Sequence, residues 1–159
     1  MANTYTQIYI HYVLTVQFRN EMIRDEFRLE VEKYICGIAT NLKQKVYAIY
    51  CMPDHTHIIM SRKPDISDSD LMRMIKSNSS KFINEQFELP RVFRWQEGYG
   101  AFSVSPHALD SRIKYVRGQK EHHSKESQEE EYIRLLKEHH IDFNPQYLFD
   151  KEKNTPNPQ

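Results

Sequence analysis

Two strand-like runs joined across Met52-Pro53-Asp54 constrain this chain more than any other feature. Lys45 to about Met52 reads as one strand and His55 to Ser61 as the next. Proline fixes φ and aspartate favours the bend, so the two runs form a hairpin. The second arm opens with His55-Thr56-His57. Residues two apart on a strand point to one face, so both imidazoles are aimed together.

The rest of the chain arranges itself around that hairpin. Residues 5–17 alternate and are rich in Tyr, Ile, Val and Thr, as in a strand. Residues 20–43 predict a helix, with Ile23, Phe27, Val31, Tyr34, Ile38 and Leu42 at three- and four-residue steps. Ser67-Asp68-Ser69-Asp70 caps a second helix reaching about Phe87, whose apolar stripe Asn78 interrupts. Residues 91–105 carry strand-like stretches broken by Gly98 and Gly100. Ser105-Pro106 then opens a helix carrying Tyr115 and Gln119. Ser127-Gln128-Glu129-Glu130 is a capping box that starts a last helix, ending near His139.

The order β-α-β-β-α-β followed by two helices predicts an α+β fold of the ferredoxin-like, RRM-like kind. Such a unit is an antiparallel sheet with helices on one face. Its other face is open to a ligand or to further helices. Residues 1–150 are expected to form one domain, and the polar, proline-containing stretch 151–159 a disordered tail.

Composition narrows the class. At 159 residues the chain can bury a real core, roughly two-thirds of its unfolded surface. Lys+Arg and Asp+Glu are equal at 22 each, which counts against a broadly basic nucleic-acid binder but leaves room for a local patch. Cys36 and Cys51 lack any paired spacing and read as reduced core thiols, so a cytoplasmic location is expected. The start of the chain lacks a signal-peptide pattern. No apolar run approaches the ~18 residues that span a membrane.

Tyr115 and Gln119 lie one helical turn apart and so share a face. Beside the two histidines they make equipment for cutting a phosphodiester. Imidazoles hold a divalent cation, a neutral glutamine carbonyl leaves that cation its full charge, and a phenol attacks phosphorus to form a covalent phosphotyrosine. A free phenol has a pKa of about 10, so attack at neutral pH needs the metal or a base. Each piece has a plainer reading: structural histidines, a core tyrosine, an incidental glutamine. Spacing alone does not bring the strand and the helix together.

Four segments resemble the single-tyrosine transposases of the HUH nuclease superfamily, small enzymes that move insertion sequences as single-stranded DNA. They are Tyr9–Thr15, Tyr50–Ile59, Trp95–Ser105 and Tyr115–His123, in an order and spacing that spans nearly all of residues 5–150. The resemblance implies that His55, His57 and Gln119 are ligands of a divalent metal ion, Mg or Mn. It implies that Tyr115 takes the 5′-phosphate and releases a 3′-OH. It also implies a homodimer and single-stranded DNA partners with hairpin ends. Two positions depart from the family pattern: Thr56 stands where an apolar residue is usual, and Gly118 where many members have Asn. Gly118 points either to a helix that loosens or to a close helix contact.

Other residues carry weaker expectations. Arg62, Lys63, Arg73, Lys76 and Lys81 form a basic run that suits a DNA backbone or a solvated face. His122 and His123 are read as helix-end caps or phosphate contacts ahead of metal ligands. Asp54 is expected as a turn residue that could also orient a histidine, and His11 as structural. Trp95 and Tyr99 are expected in the core ahead of base stacking, and Glu129–Glu131 as helix-start electrostatics ahead of a metal site. Three alternatives stay open: a domesticated relative acting on repeated palindromic sequences, a non-catalytic ferredoxin-like nucleic-acid-binding module, and a metal hydrolase using water.

Overall fold

The structure is a computed structural model that describes residues 2–152. Its central sheet has four strands: β1 (Tyr9–Thr15), β2 (Lys45–Cys51), β3 (His55–Ser61) and β4 (Gly100–Val104). They lie in the order β2-β3-β1-β4, and every neighbouring pair is antiparallel. With α1 (Arg28–Asn41) after β1 and α2 (Asp68–Gln86) after β3, this is the expected ferredoxin-like α+β unit.

The pleat sorts the side chains into two layers. Tyr12, Leu14, Ile58 and Met60 face α1 and α2, and meet Val31, Ile35, Leu71, Met72 and Ile75 in the main core. Val13, Ile59, His11 and His57 fall on the opposite face by alternation. That face is also covered. The helix α3 (Leu109–Arg117) sets Val116 on Ala48 and Ile59. The helix α5 (Gln128–Glu138) sets Tyr132, Leu135 and Leu136 on Val13 and Phe102. Polar side chains on this second face are therefore enclosed between sheet and helices.

Several boundaries differ from the sequence expectation, each for a local reason. The first helix begins at Arg28, after a 3₁₀ turn at Asp25–Phe27. Met22 and Ile23 are buried, and their backbone N–H groups donate to the Pro53 carbonyl at 2.9 and 3.0 Å. That tie holds residues 22–23 under the β2–β3 turn and keeps them out of the helix. Only Gly100–Val104 of the 91–105 stretch is strand, with Trp95 making one bridge to Val16. Trp95 is a core residue whose indole N–H donates to Ser79 Oγ at 2.9 Å.

The helix expected to carry both Tyr115 and Gln119 is interrupted. α3 ends at Arg117, and Gln119–His122 forms a separate short turn, α4. A methyl group on Gly118 would meet only Lys114 and Tyr115 carbonyls, so no neighbouring helix requires the glycine. Ser67 Oγ accepts from Asp70 N–H and Ser127 Oγ from Glu130 N–H as expected, whereas Ser105, ahead of Pro106, opens a 3₁₀ turn at Pro106–Ala108 without a side-chain cap bond. Of the expected tail, Glu152 pairs with Arg91 at 3.1 Å, and residues 153–159 lie outside the described residues.

Two glycines test the packing. A Cβ at Gly100 would stand 3.0 Å from both the Phe102 ring and the Tyr132 hydroxyl, whereas one at Gly37 in α1 would meet nothing. Gly100→Ala should therefore lower stability by about 1–3 kcal/mol. Gly37→Ala should raise it by about 0.5–1 kcal/mol. Urea unfolding of the two variants checks both signs.

Candidate active site

The hairpin turn aims the histidines as its sequence suggests, and the covered face gathers the rest. His55 and His57 are buried on β3, opposite Thr15 and Val13 of β1. His11 lies diagonally across from His57, and its Nε2 is 2.7 Å from His57 Nδ1. Asp54 Oδ1 accepts from His55 Nδ1 at 2.7 Å, so the turn residue also orients the imidazole. Arg112 Nη1 stands 3.1 Å from His11 Nδ1.

The far side of the site comes from α5. Its apolar stripe puts Glu131, one turn before Leu135, on the face against the sheet. Glu131 Oε1 lies 2.7 Å from His57 Nε2 and 3.1 Å from His123 Nε2. His123 Nε2 is in turn 3.1 Å from His55 Nε2. The other Glu131 oxygen, Oε2, accepts from the Tyr115 hydroxyl. One carboxylate thus links the histidine cluster to the phenol.

Tyr115 sits on α3, half-buried, with its ring 6.3 Å from that of His57. Arg134 Nη2 donates to its hydroxyl at 2.7 Å, and His122 Nε2 is 3.4 Å away. A small cavity of about 250 Å³ opens beside the phenol, lined by Arg112 and Arg134 among others. Gln119 is fully buried. Its Nε2 donates to the Tyr115 backbone carbonyl at 3.3 Å, while its carbonyl oxygen has no hydrogen-bond partner.

The electrostatics follow from this enclosure. Burial pushes His57 down to about 4, against the Glu131 carboxylate that draws it up. Burial, with His57 and Arg112 nearby, holds His11 well below its usual value. Burial would raise the Glu131 carboxyl, but hydrogen bonds from His123 and His57 outweigh it and hold it well below the carboxylate range. Burial and the Glu131 charge together push the Tyr115 phenol up, and Arg134 only partly offsets them. At neutral pH the site therefore holds a carboxylate, a neutral His57 and a protonated phenol.

The residues of the basic run have different local settings. Arg73 and Lys76 line a cavity of about 680 Å³ together with Arg94, Gln96 and Tyr99. Lys76 Nζ donates to the Gly98 carbonyl at 2.5 Å, and Arg62 is paired with Asp68 at 2.8 Å. Lys63 is exposed beyond β3, and exposed Lys81 lies 4.0 Å from Glu85.

Comparison with known proteins places this chain in a family. A family model described as "Transposase IS200 like" matches residues 4–119. The chain belongs to the IS200-like transposase family. A candidate transposase from Deinococcus radiodurans R1 shares the fold, at 20% identity and a TM-score of 0.61, over 75% of this chain and 95% of that one. A REP-associated tyrosine transposase bound to a REP hairpin does so at 13% identity and a TM-score of 0.57, over 77% of this chain and 73% of that one. No curated protein matches the chain. Among the described residues, no helix is long and apolar enough to cross a membrane.

Sequence reasoning missed Arg134 and Arg112, assigned Glu131 to helix-start electrostatics, and ranked metal ligation last among the roles of His123. Glu129, Glu130 and Glu131 look alike in sequence. The capping box fixes the phase of α5, however, and that phase puts Glu131 alone in line with Tyr132 and Leu135. The Asp54 contact predicts that metal-free His55 carries its ring proton on Nδ1. Long-range 1H–15N spectra should read that tautomer, and Asp54→Ala should weaken it; an Nε2–H form in the wild type would contradict the assignment.

Proposed function

We propose that this transposase cleaves and rejoins single-stranded DNA at hairpin-flanked ends through a 5′-phosphotyrosine on Tyr115, with a divalent metal ion, Mg or Mn, at His55, His57 and Gln119. The observation that carries the reading is the Glu131 carboxylate, which touches His57 with one oxygen and the Tyr115 hydroxyl with the other. Nucleophile and histidines are thereby brought together within one chain.

The residues present fit a cation. His55 turns Nδ1 to Asp54 and so leaves Nε2 available to a ligand. The buried Gln119 carbonyl oxygen lacks a partner, a state that costs free energy unless something else binds there. When bound, the ion supplies Lewis-acid stabilisation of phosphate charge and a template for the strand.

The chain's own groups account for the remaining chemistry. Arg112 and Arg134 line the opening beside Tyr115, where guanidinium forks suit a scissile phosphate. Tyr115 Oη bonds to phosphorus as the bond to the 3′ oxygen breaks. The phenol gives up its proton and the departing oxygen takes one up to become a 3′-OH, both exchanged with solvent, so the step is proton-neutral; Glu131 Oε2 orients the phenol. Arg134 stabilises negative charge on the phenol oxygen, which burial otherwise opposes. Because the ester keeps the bond energy, reversal rejoins strands without ATP.

Hairpin DNA as partner is supported by the REP-hairpin-bound structural neighbour. Among the proposed contacts Arg62, Lys63, Arg73, Lys76 and Lys81, the pair Arg73 and Lys76 shares a cavity with Tyr99. We further propose a homodimer that brings two DNA strands together, since each chain already places Tyr115 at its own histidines. The unpaired thiols Cys36 and Cys51 suit a cytoplasmic setting. The same neighbour favours a second reading, a domesticated enzyme acting on repeated palindromes, and genomic context separates the two.

A covalent-adduct gel tests the chemistry. Labelled hairpin-bearing single-stranded DNA with Mg or Mn should give a shifted band that chelator prevents. Tyr115→Phe should lose the adduct and cleavage while still binding the hairpin, and His57→Ala should lose metal-dependent cleavage. Cleavage by Tyr115→Phe near the wild-type rate would defeat the nucleophile assignment. Binding without any cleavage by the wild type would favour a non-catalytic module, and cleavage without an adduct a water-using hydrolase. Separately, Arg73→Ala should reduce the salt slope of hairpin binding by about one, as loss of one phosphate contact requires. A salt series by fluorescence anisotropy reads that slope.

A further inference from the structure

Glu131 and His123 lie outside the residues 4–119 that the family model matches. Their donor atoms nevertheless converge with those of His55 and His57, all within 4.8 Å of one another. Three imidazole Nε2 atoms and one carboxylate oxygen meet there. The separations are 2.7 Å for His57–Glu131, 3.1 Å for His123–Glu131, 3.1 Å for His55–His123 and 3.6 Å for His55–Glu131. Ligand bonds of ~2.0–2.2 Å place two donors on one cation roughly 3–4 Å apart. The 3.1, 3.1 and 3.6 Å separations fall in that range, while His57 and Glu131, at hydrogen-bond length, would move apart slightly to admit an ion.

The imidazoles are also held from behind. Asp54 holds His55 Nδ1, and His11 holds His57 Nδ1. Outer partners of this kind fix the ring and leave Nε2 as the ligand atom. The side chains of Glu131 and His123 are only 2% and 9% exposed, so both donors face the cluster and not solvent.

We propose that Glu131 and His123 are further ligands of the divalent cation, adding a carboxylate and a third imidazole to His55, His57 and Gln119. This rests on the reading above that a cation binds at His55 and His57. The extension has two consequences. The carboxylate lowers the net charge of the site and so strengthens its hold on any divalent cation. Three imidazoles favour Mn, Co or Zn over Mg, which prefers oxygen and water. Because Glu131 Oε2 also holds the Tyr115 hydroxyl, one side chain would link the position of the nucleophile to that of the cation.

Metal binding tests this without activity. The full chain, stripped with chelator, is titrated with Co²⁺ by visible absorption and with Mn²⁺ and Mg²⁺ by calorimetry. Circular dichroism checks the fold of each variant. Loss of an outer partner alone costs about 10–100-fold in metal affinity. Glu131→Gln and His123→Ala should therefore each weaken Mn²⁺ binding at least about tenfold and shift the Co²⁺ ligand-field band. Pulsed EPR of the Mn²⁺-loaded wild type needs no variant and should count three coordinated imidazoles.

Two coordinated imidazoles would overturn the proposal. So would unchanged affinity and spectrum in both variants, while loss of binding in His57→Ala would leave the underlying reading standing. Tighter binding in Glu131→Gln would overturn it as well, because the carboxylate would then be competing with the cation for His57. A wild type that binds no cation would defeat both the extension and the reading beneath it.

Discussion

The Glu131 carboxylate, buried between His57 and Tyr115, is the contact on which the second face of the sheet depends. Without it, α5 would pack on Val13 and Phe102 as an ordinary amphipathic helix, and α3 on Ala48 and Ile59 as another. With it, two helices that follow closely in the chain are fixed to one point above β3. A charged group is costly to bury unless it is paired and fully hydrogen-bonded. Here the histidines and the phenol supply the partners, and Arg134 adds positive charge on the far side of the phenol.

Much of this was legible in the sequence. The Pro53-Asp54 turn, the capping serines at 67 and 127, and the alternation in β1 placed the strands and two of the helices close to where they lie. The errors arose where tertiary contacts overrode local pattern. Met22 and Ile23 continue a helical periodicity, but their backbone N–H groups are committed to the Pro53 carbonyl. The turn that aims the histidines therefore also delays α1. Gly118 was the visible weak point of the tyrosine helix, and the helix is interrupted there.

The site was legible only in part, and the reason is geometric. His55 and His57 share a face through strand periodicity, and Tyr115 and Gln119 through helical periodicity, so each pair follows from spacing alone. Nothing in spacing says that α5 returns across β3. His123 and Glu131 are eight residues apart, on either side of a turn, and meet only because that turn folds α5 back over α4. The family model stops at Gln119, so this part of the site belongs to the stretch that follows the matched region.

Energetics argue that the cluster exists for something other than stability. Replacing buried ion pairs with packed apolar groups is often neutral or stabilising by about 1–4 kcal/mol. Position 131 lies in a stripe with Tyr132, Leu135 and Leu136, where a leucine would extend the apolar contact with the sheet. The chain instead carries a carboxylate there and three converging imidazoles on neighbouring elements, and the Gln119 carbonyl oxygen is buried without a hydrogen-bond partner. The buried carboxylate is at best neutral against an apolar residue even when paired, the unpartnered glutamine oxygen is a cost, and all are donors of the kind a divalent cation binds. A single cation would neutralise the carboxylate and engage the imidazole lone pairs, turning their burial into a binding site.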